Sequence, residues 1–128
     1  MSVALNQRVA AACLVALSLV LFGMAHLPAA ELTFNFPIAR GRVPDNMRLI
    51  RVKQDDVVRL RCATDAPVIL HVHGYDIEQR VTPDAPAEIG FTARATGRFP
   101  IHAHAPEQVS GGQAHEEAAL AILEVYPR

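Results

Sequence analysis

The sequence predicts an all-β protein, a Greek-key β-sandwich of about seven or eight short strands that follows an N-terminal signal peptide. Three observations carry this expectation. From Leu32 onward apolar and polar residues alternate, the period of a strand with one buried face. Turn-forming clusters such as Pro44-Asp45-Asn46 and Pro83-Asp84-Ala85-Pro86 break the alternation at short intervals, as in small sandwiches and barrels of antiparallel strands. No convincing amphipathic helix follows the leader, and 128 residues suit one domain with its own core.

The N-terminus is polar with a single base, Arg8, and then runs from Val9 to Ala25 without a charge. That pattern reads as a secretory signal peptide over residues 1–25. Cleavage falls after Ala25, where Gly23-Met24-Ala25 supplies small residues, or after Ala30, where Pro28 fits less well. The alternative is an uncleaved anchor, since this apolar run reaches the lower edge of what spans a bilayer. Either way the domain, residues 31–128, is expected outside the cytoplasm, periplasmic or secreted, touching a membrane only through the N-terminal segment if it is kept. Cys13 lies within the apolar run and goes with it.

The remaining Cys62 has no partner thiol in the chain, so stability must come from packing and not from an intramolecular disulfide. Thirteen acids against eleven bases follow residue 30, a net charge near −2 without any block of like charge. This composition excludes nucleic acid and a polybasic membrane patch as partners.

In order, the expected strands are Leu32 to Ala39, Arg48 to Lys53, Val57 to Cys62, Val68 to His73, Ile77 to Val81, Glu88 to Ala93, Arg98 to His104 and Ala118 to Val125. Ile50 and Val52 share one face of the second, with Leu49, Arg51 and Lys53 on the other. In the third, Val58, Leu60 and Cys62 face inward, which makes Cys62 a small buried hydrophobe before it is a metal thiolate. Arg40, Arg42, Arg48, Arg51, Arg59 and Arg61 alternate with apolar positions and read as a solvated sheet face.

Two of these strands carry His-x-His pairs: His71-Val72-His73 and His102-Ala103-His104. Alternate strand residues share a face and lie roughly 6.5–7 Å apart. That spacing favours each histidine of a pair reaching a different metal, or one serving as ligand and the other as support. In a Greek-key sandwich the two strands are expected side by side, which gathers four imidazoles on one patch. Imidazole suits copper and zinc and binds only when neutral, so such a patch loses metal as pH falls below about 6.5. The plainer alternative is four solvent-facing or hydrogen-bonded polar residues with no metal.

The run Leu70-His71-Val72-His73-Gly74, followed by Thr96-Gly97-Arg98-Phe99-Pro100-Ile101-His102-Ala103-His104 and a closing apolar strand, resembles the cupredoxins. More specifically it resembles the first cupredoxin domain of multicopper oxidases, over about Val57 to Val125. The resemblance implies a β-sandwich with copper ligands at its rim. It implies that His71, His73, His102 and His104 are those ligands, the members of each pair addressing different ions. His115 lies in the loop where cupredoxins commonly place their last ligand. The chain departs from a multicopper oxidase in having no second set of His-x-His pairs. It departs from the single-domain blue copper proteins in having no cysteine in that last loop, so an intense blue redox site is not expected. His26 would join the imidazole set only as a free N-terminal residue. Asp76 reads as a turn residue, or as a carboxylate that orients a neighbouring imidazole.

These features predict an exported copper-binding protein that acts as carrier, buffer or donor to a recipient exported protein, ahead of an enzyme, which they leave open. The alternatives are a copper oxidase whose cluster is shared between subunits, and a metal-free binding or structural module.

Overall fold

The computed structural model describes residues 28–106 and 118–128. The leader, with Cys13 and His26, and the loop histidine His115 therefore lie outside the described residues. Eight strands are described: β1 (Glu31–Ile38), β2 (Leu49–Lys53), β3 (Val57–Thr64), β4 (Val68–Val72), β5 (Ile77–Val81), β6 (Ala87–Thr92), β7 (Gly97–His104) and β8 (Ala121–Tyr126). The only helix among the described residues is one 3-10 turn, Asp45–Met47, and none is long and apolar enough to cross a membrane.

The strands form two layers, a three-stranded sheet in the order β1-β3-β6 and a five-stranded sheet in the order β2-β8-β7-β4-β5. The alternation read in the sequence explains the packing. Phe36, Val58, Leu60, Cys62 and Ile89 point inward from the small sheet, and Ile50, Val52, Leu70, Val72, Ile101, Leu123 and Val125 meet them from the large one; all are buried. Burial of each such side chain contributes about 1.5–3 kcal/mol.

One expectation is corrected. The sheets are not wholly antiparallel, because β1 pairs with β3, and β2 with β8, in parallel. The chain alternates between layers: β2 joins the large sheet and carries the chain back, so β3 re-enters the small sheet running the same way as β1. A strand in the opposite layer thus serves as the crossover that a parallel pair requires.

Proline falls inside two strands. Pro37 lies on β1, an edge strand, where a missing N–H is tolerated. Pro100 lies on the interior strand β7, but β4 ends at Val72 just where the proline would otherwise have to donate, and its carbonyl accepts the His73 N–H at 3.1 Å.

The outer faces carry ion pairs. Arg59 pairs with Glu31 and Glu88, Arg61 with Glu88, and Glu124 takes both Arg51 and Arg98 at 3.1 Å. At the margin of the sandwich Asp56 is buried, 3% exposed. Its carboxylate accepts the backbone N–H of Lys53 at 2.9 Å and of Ala30 at 3.0 Å, and pairs with Arg128. One buried acid thus ties the entry to β1, the β2–β3 turn and the end of the chain together.

Candidate metal centre

β4 and β7 are adjacent and antiparallel, with His71 directly opposite His102 and Ile69 opposite His104. Both histidine strands turn Leu70, Val72 and Ile101 into the core, so by the alternation of a strand their histidines stand on the outer face of the large sheet. His71, His102 and His104 are half-buried there, and His73 is exposed.

The rings form a row. His71 and His73 have ring centres 4.2 Å apart, His73 and His102 4.9 Å, and His102 and His104 6.1 Å with the last two nearly parallel. β4 ends at Val72, so His73 lies in the turn to β5. Gly74 makes that turn with φ +78°. Its missing side chain is also required for space: a Cβ there would lie 2.4 Å from the Phe99 ring. Tyr75 packs on Phe99 and Phe91 at 5.0 and 4.9 Å and donates its hydroxyl to the Ala95 carbonyl at 2.9 Å. The turn carrying His73 is thereby fastened to β7.

Partial desolvation, and then the positive charge that His71, His102 and His104 can carry, hold the His73 pKa below the ordinary imidazole value. A neutral ring with a free lone pair is the form that binds a metal.

Two imidazoles on one ion have ring centres about 4.5–5 Å apart, given metal–nitrogen bonds of about 2.0–2.1 Å. Of the spacings along the row, His73–His102 at 4.9 Å falls in that range, whereas His71–His73 at 4.2 Å is shorter and His102–His104 at 6.1 Å longer. Among the described residues, however, no three His, Cys, Asp or Glu side chains stand together so as to hold one ion. The donor set suits copper or zinc chemistry, with nitrogen alone and no thiolate.

Cys62 is not part of it. It lies on the inward face of β3 in the other sheet, 1% exposed, and its burial pushes the thiol pKa up to about 12. Asp76 occupies the turn at φ +54°, and among the described residues it makes no hydrogen bond to an imidazole. Glu78, which the sequence reading passed over, faces His71 from β5. Only the strand register reveals that neighbour.

The sandwich topology is that of a cupredoxin-like fold. The likeness to solved structures agrees in fold. A structure described as a heme-copper terminal oxidase dimer matches 95% of this chain and 99% of its own with TM-score 0.56 and 13% identity. The periplasmic domain of subunit II of cytochrome oxidase (CoxB) of Bradyrhizobium japonicum matches 80% of this chain and 88% of its own, with TM-score 0.54 and 16% identity. The blue copper oxidase from Nitrosomonas europaea matches with TM-score 0.56 and 18% identity over 77% of this chain, which spans only 39% of that one. No sequence-family model and no curated protein sequence matches the chain.

Proposed function

We propose that this protein is an exported, cupredoxin-type copper-binding protein that holds copper through His71, His73, His102 and His104 and passes it to an exported recipient. The carrying observation is the register that sets His71 opposite His102 on one outer sheet face. Copper stands ahead of zinc because a nitrogen site of given geometry binds Cu²⁺ more tightly, and because structures of this fold include copper oxidases and a cytochrome oxidase subunit. Placement on a sheet face leaves the rings open to an incoming acceptor, which suits transfer by ligand exchange. The leader over residues 1–25 supports export.

Copper titration of the purified protein, followed by isothermal calorimetry and electron paramagnetic resonance, tests the reading. Replacement of all four histidines by alanine should abolish the nitrogen-rich copper signal; unchanged affinity would sink the proposal.

A second reading is a copper oxidase whose cluster is completed by another subunit. It draws support from the lack of a ready three-donor group among the described residues. Native mass spectrometry of the metal-loaded protein separates the two, because a shared cluster needs several coppers in an oligomeric assembly, and a strict monomer with one copper or none excludes it.

A further inference from the structure

The edge strand β5 carries an unused, self-complementary pattern. Among the described residues it pairs with β4 alone and closes one side of the large sheet. Its sequence is Ile77-Glu78-Gln79-Arg80-Val81, with an acid and a base placed symmetrically about Gln79. Both charged side chains are exposed, and among the described residues neither forms an ion pair, whereas Arg51, Arg59, Arg61 and Arg98 all do.

The backbone of these two residues faces the open edge. The His73 N–H bonds to Pro100 on β7, so the odd-numbered residues of β4 direct their backbone groups toward β7 and the even-numbered ones toward β5. Glu78 and Arg80 stand opposite His71 and Ile69; their own N–H and C=O groups therefore point away from β4. In agreement, the Arg80 carbonyl takes a hydrogen bond from the Gln79 side-chain amide at 2.9 Å. An exposed edge of this kind is a template for pairing with another strand.

We propose that β5 is a docking edge for β5 of a second copy of this chain, paired antiparallel about a two-fold axis through Gln79. In that register Glu78 of each copy faces Arg80 of the other, Ile77 faces Val81, and the outward N–H and C=O groups of Glu78 and Arg80 are the ones that exchange hydrogen bonds. A single strand satisfies both sides of the interface, as an isologous two-fold contact requires. The two five-stranded sheets join into one sheet of ten with both histidine rows on the same face. Three strand spacings, roughly 14 Å, separate the two copies of β4, too far for one ion to bridge His71 of both. The inference is thus independent of whether the histidines bind metal.

Sedimentation equilibrium of the metal-free protein over micromolar to millimolar concentration tests it, with circular dichroism to confirm that each variant is folded. The wild type should show a monomer–dimer equilibrium that weakens with salt. Glu78→Arg and Arg80→Glu should each weaken association at least about tenfold, since each sets like charges opposite one another. The double variant Glu78→Arg with Arg80→Glu restores both pairs in reversed sense and should dimerise like the wild type. A wild type that stays monomeric throughout, single variants that dimerise unchanged, or a double variant no better than the singles would each overturn the proposal.

Discussion

Gly74 and Phe99 meet so closely that a single added carbon on the glycine would lie 2.4 Å from the ring edge. The contact joins the turn that carries His73 to the strand that carries His102, and so fixes the spacing of the histidine row. Gly74→Ala should destabilise the protein by about 1–3 kcal/mol, through both the left-handed backbone and the overpacking. It should also weaken copper binding. Phe99→Leu together with Gly74→Ala relieves the overlap and should recover part of the stability; urea unfolding of both variants checks this.

Asp56 contributes to acid sensitivity. Burial alone would raise its pKa, but the N–H donors of Lys53 and Ala30 and the Arg128 guanidinium outweigh that and hold it below the ordinary carboxylate value. The unfolded chain therefore takes up the proton first. Asp56 contributes fully above about pH 4, and its share is lost as pH falls through its lowered folded-state pKa. Asp56→Ala should cost about 3 kcal/mol at neutral pH, since it removes the buried carboxylate that two backbone N–H groups and one arm of the Arg128 guanidinium share. Thermal unfolding between pH 3 and 7 should show the variant losing less on acidification than the wild type.

His73 has the opposite chemistry and the same sign of slope. Its folded-state pKa is lowered, so the unfolded chain again binds the proton first, now near the ordinary imidazole value of about 6.5. Stability should decline as pH falls from there toward the lowered value and then level off. His73→Gln should flatten that part of the profile in denaturant titrations at pH 5, 6 and 7. Copper affinity should fall over the same acid range, because protons compete for the nitrogens.

Cys62 is expected to be inert. With its thiol buried and its pKa pushed up to about 12, a thiol reagent at pH 8 should leave the native protein unmodified and label it stoichiometrically in denaturant. The copper-loaded protein should show no intense blue band, because the large sheet itself separates Cys62 from the histidine row. Such a band would show the assignment of donors to be wrong.

Much of the architecture was legible in the sequence, because alternation along a strand is a local signal. Val58, Leu60 and Cys62 are read inward and are buried, and the described strands lie within a few residues of the expected ones. The adjacency of the histidine strands was legible as well, through the Greek-key expectation. What escaped depends on contacts distant in sequence. Asp56 looks like one more turn residue beside Asp55, and only the return of Arg128, 72 residues later, reveals it as a buried anchor. The end of β4 at Val72, which leaves His73 in the following turn, is a boundary that periodicity does not resolve. Parallel pairing of β1 with β3 follows from which layer β2 joins, a choice the residues of β1 and β3 do not encode.

The four imidazoles stand on the side of the large sheet turned away from the core, and none of the buried side chains belongs to them. The packing of the sandwich therefore draws on none of them, and substitutions across the histidine face should leave the layer behind it in place.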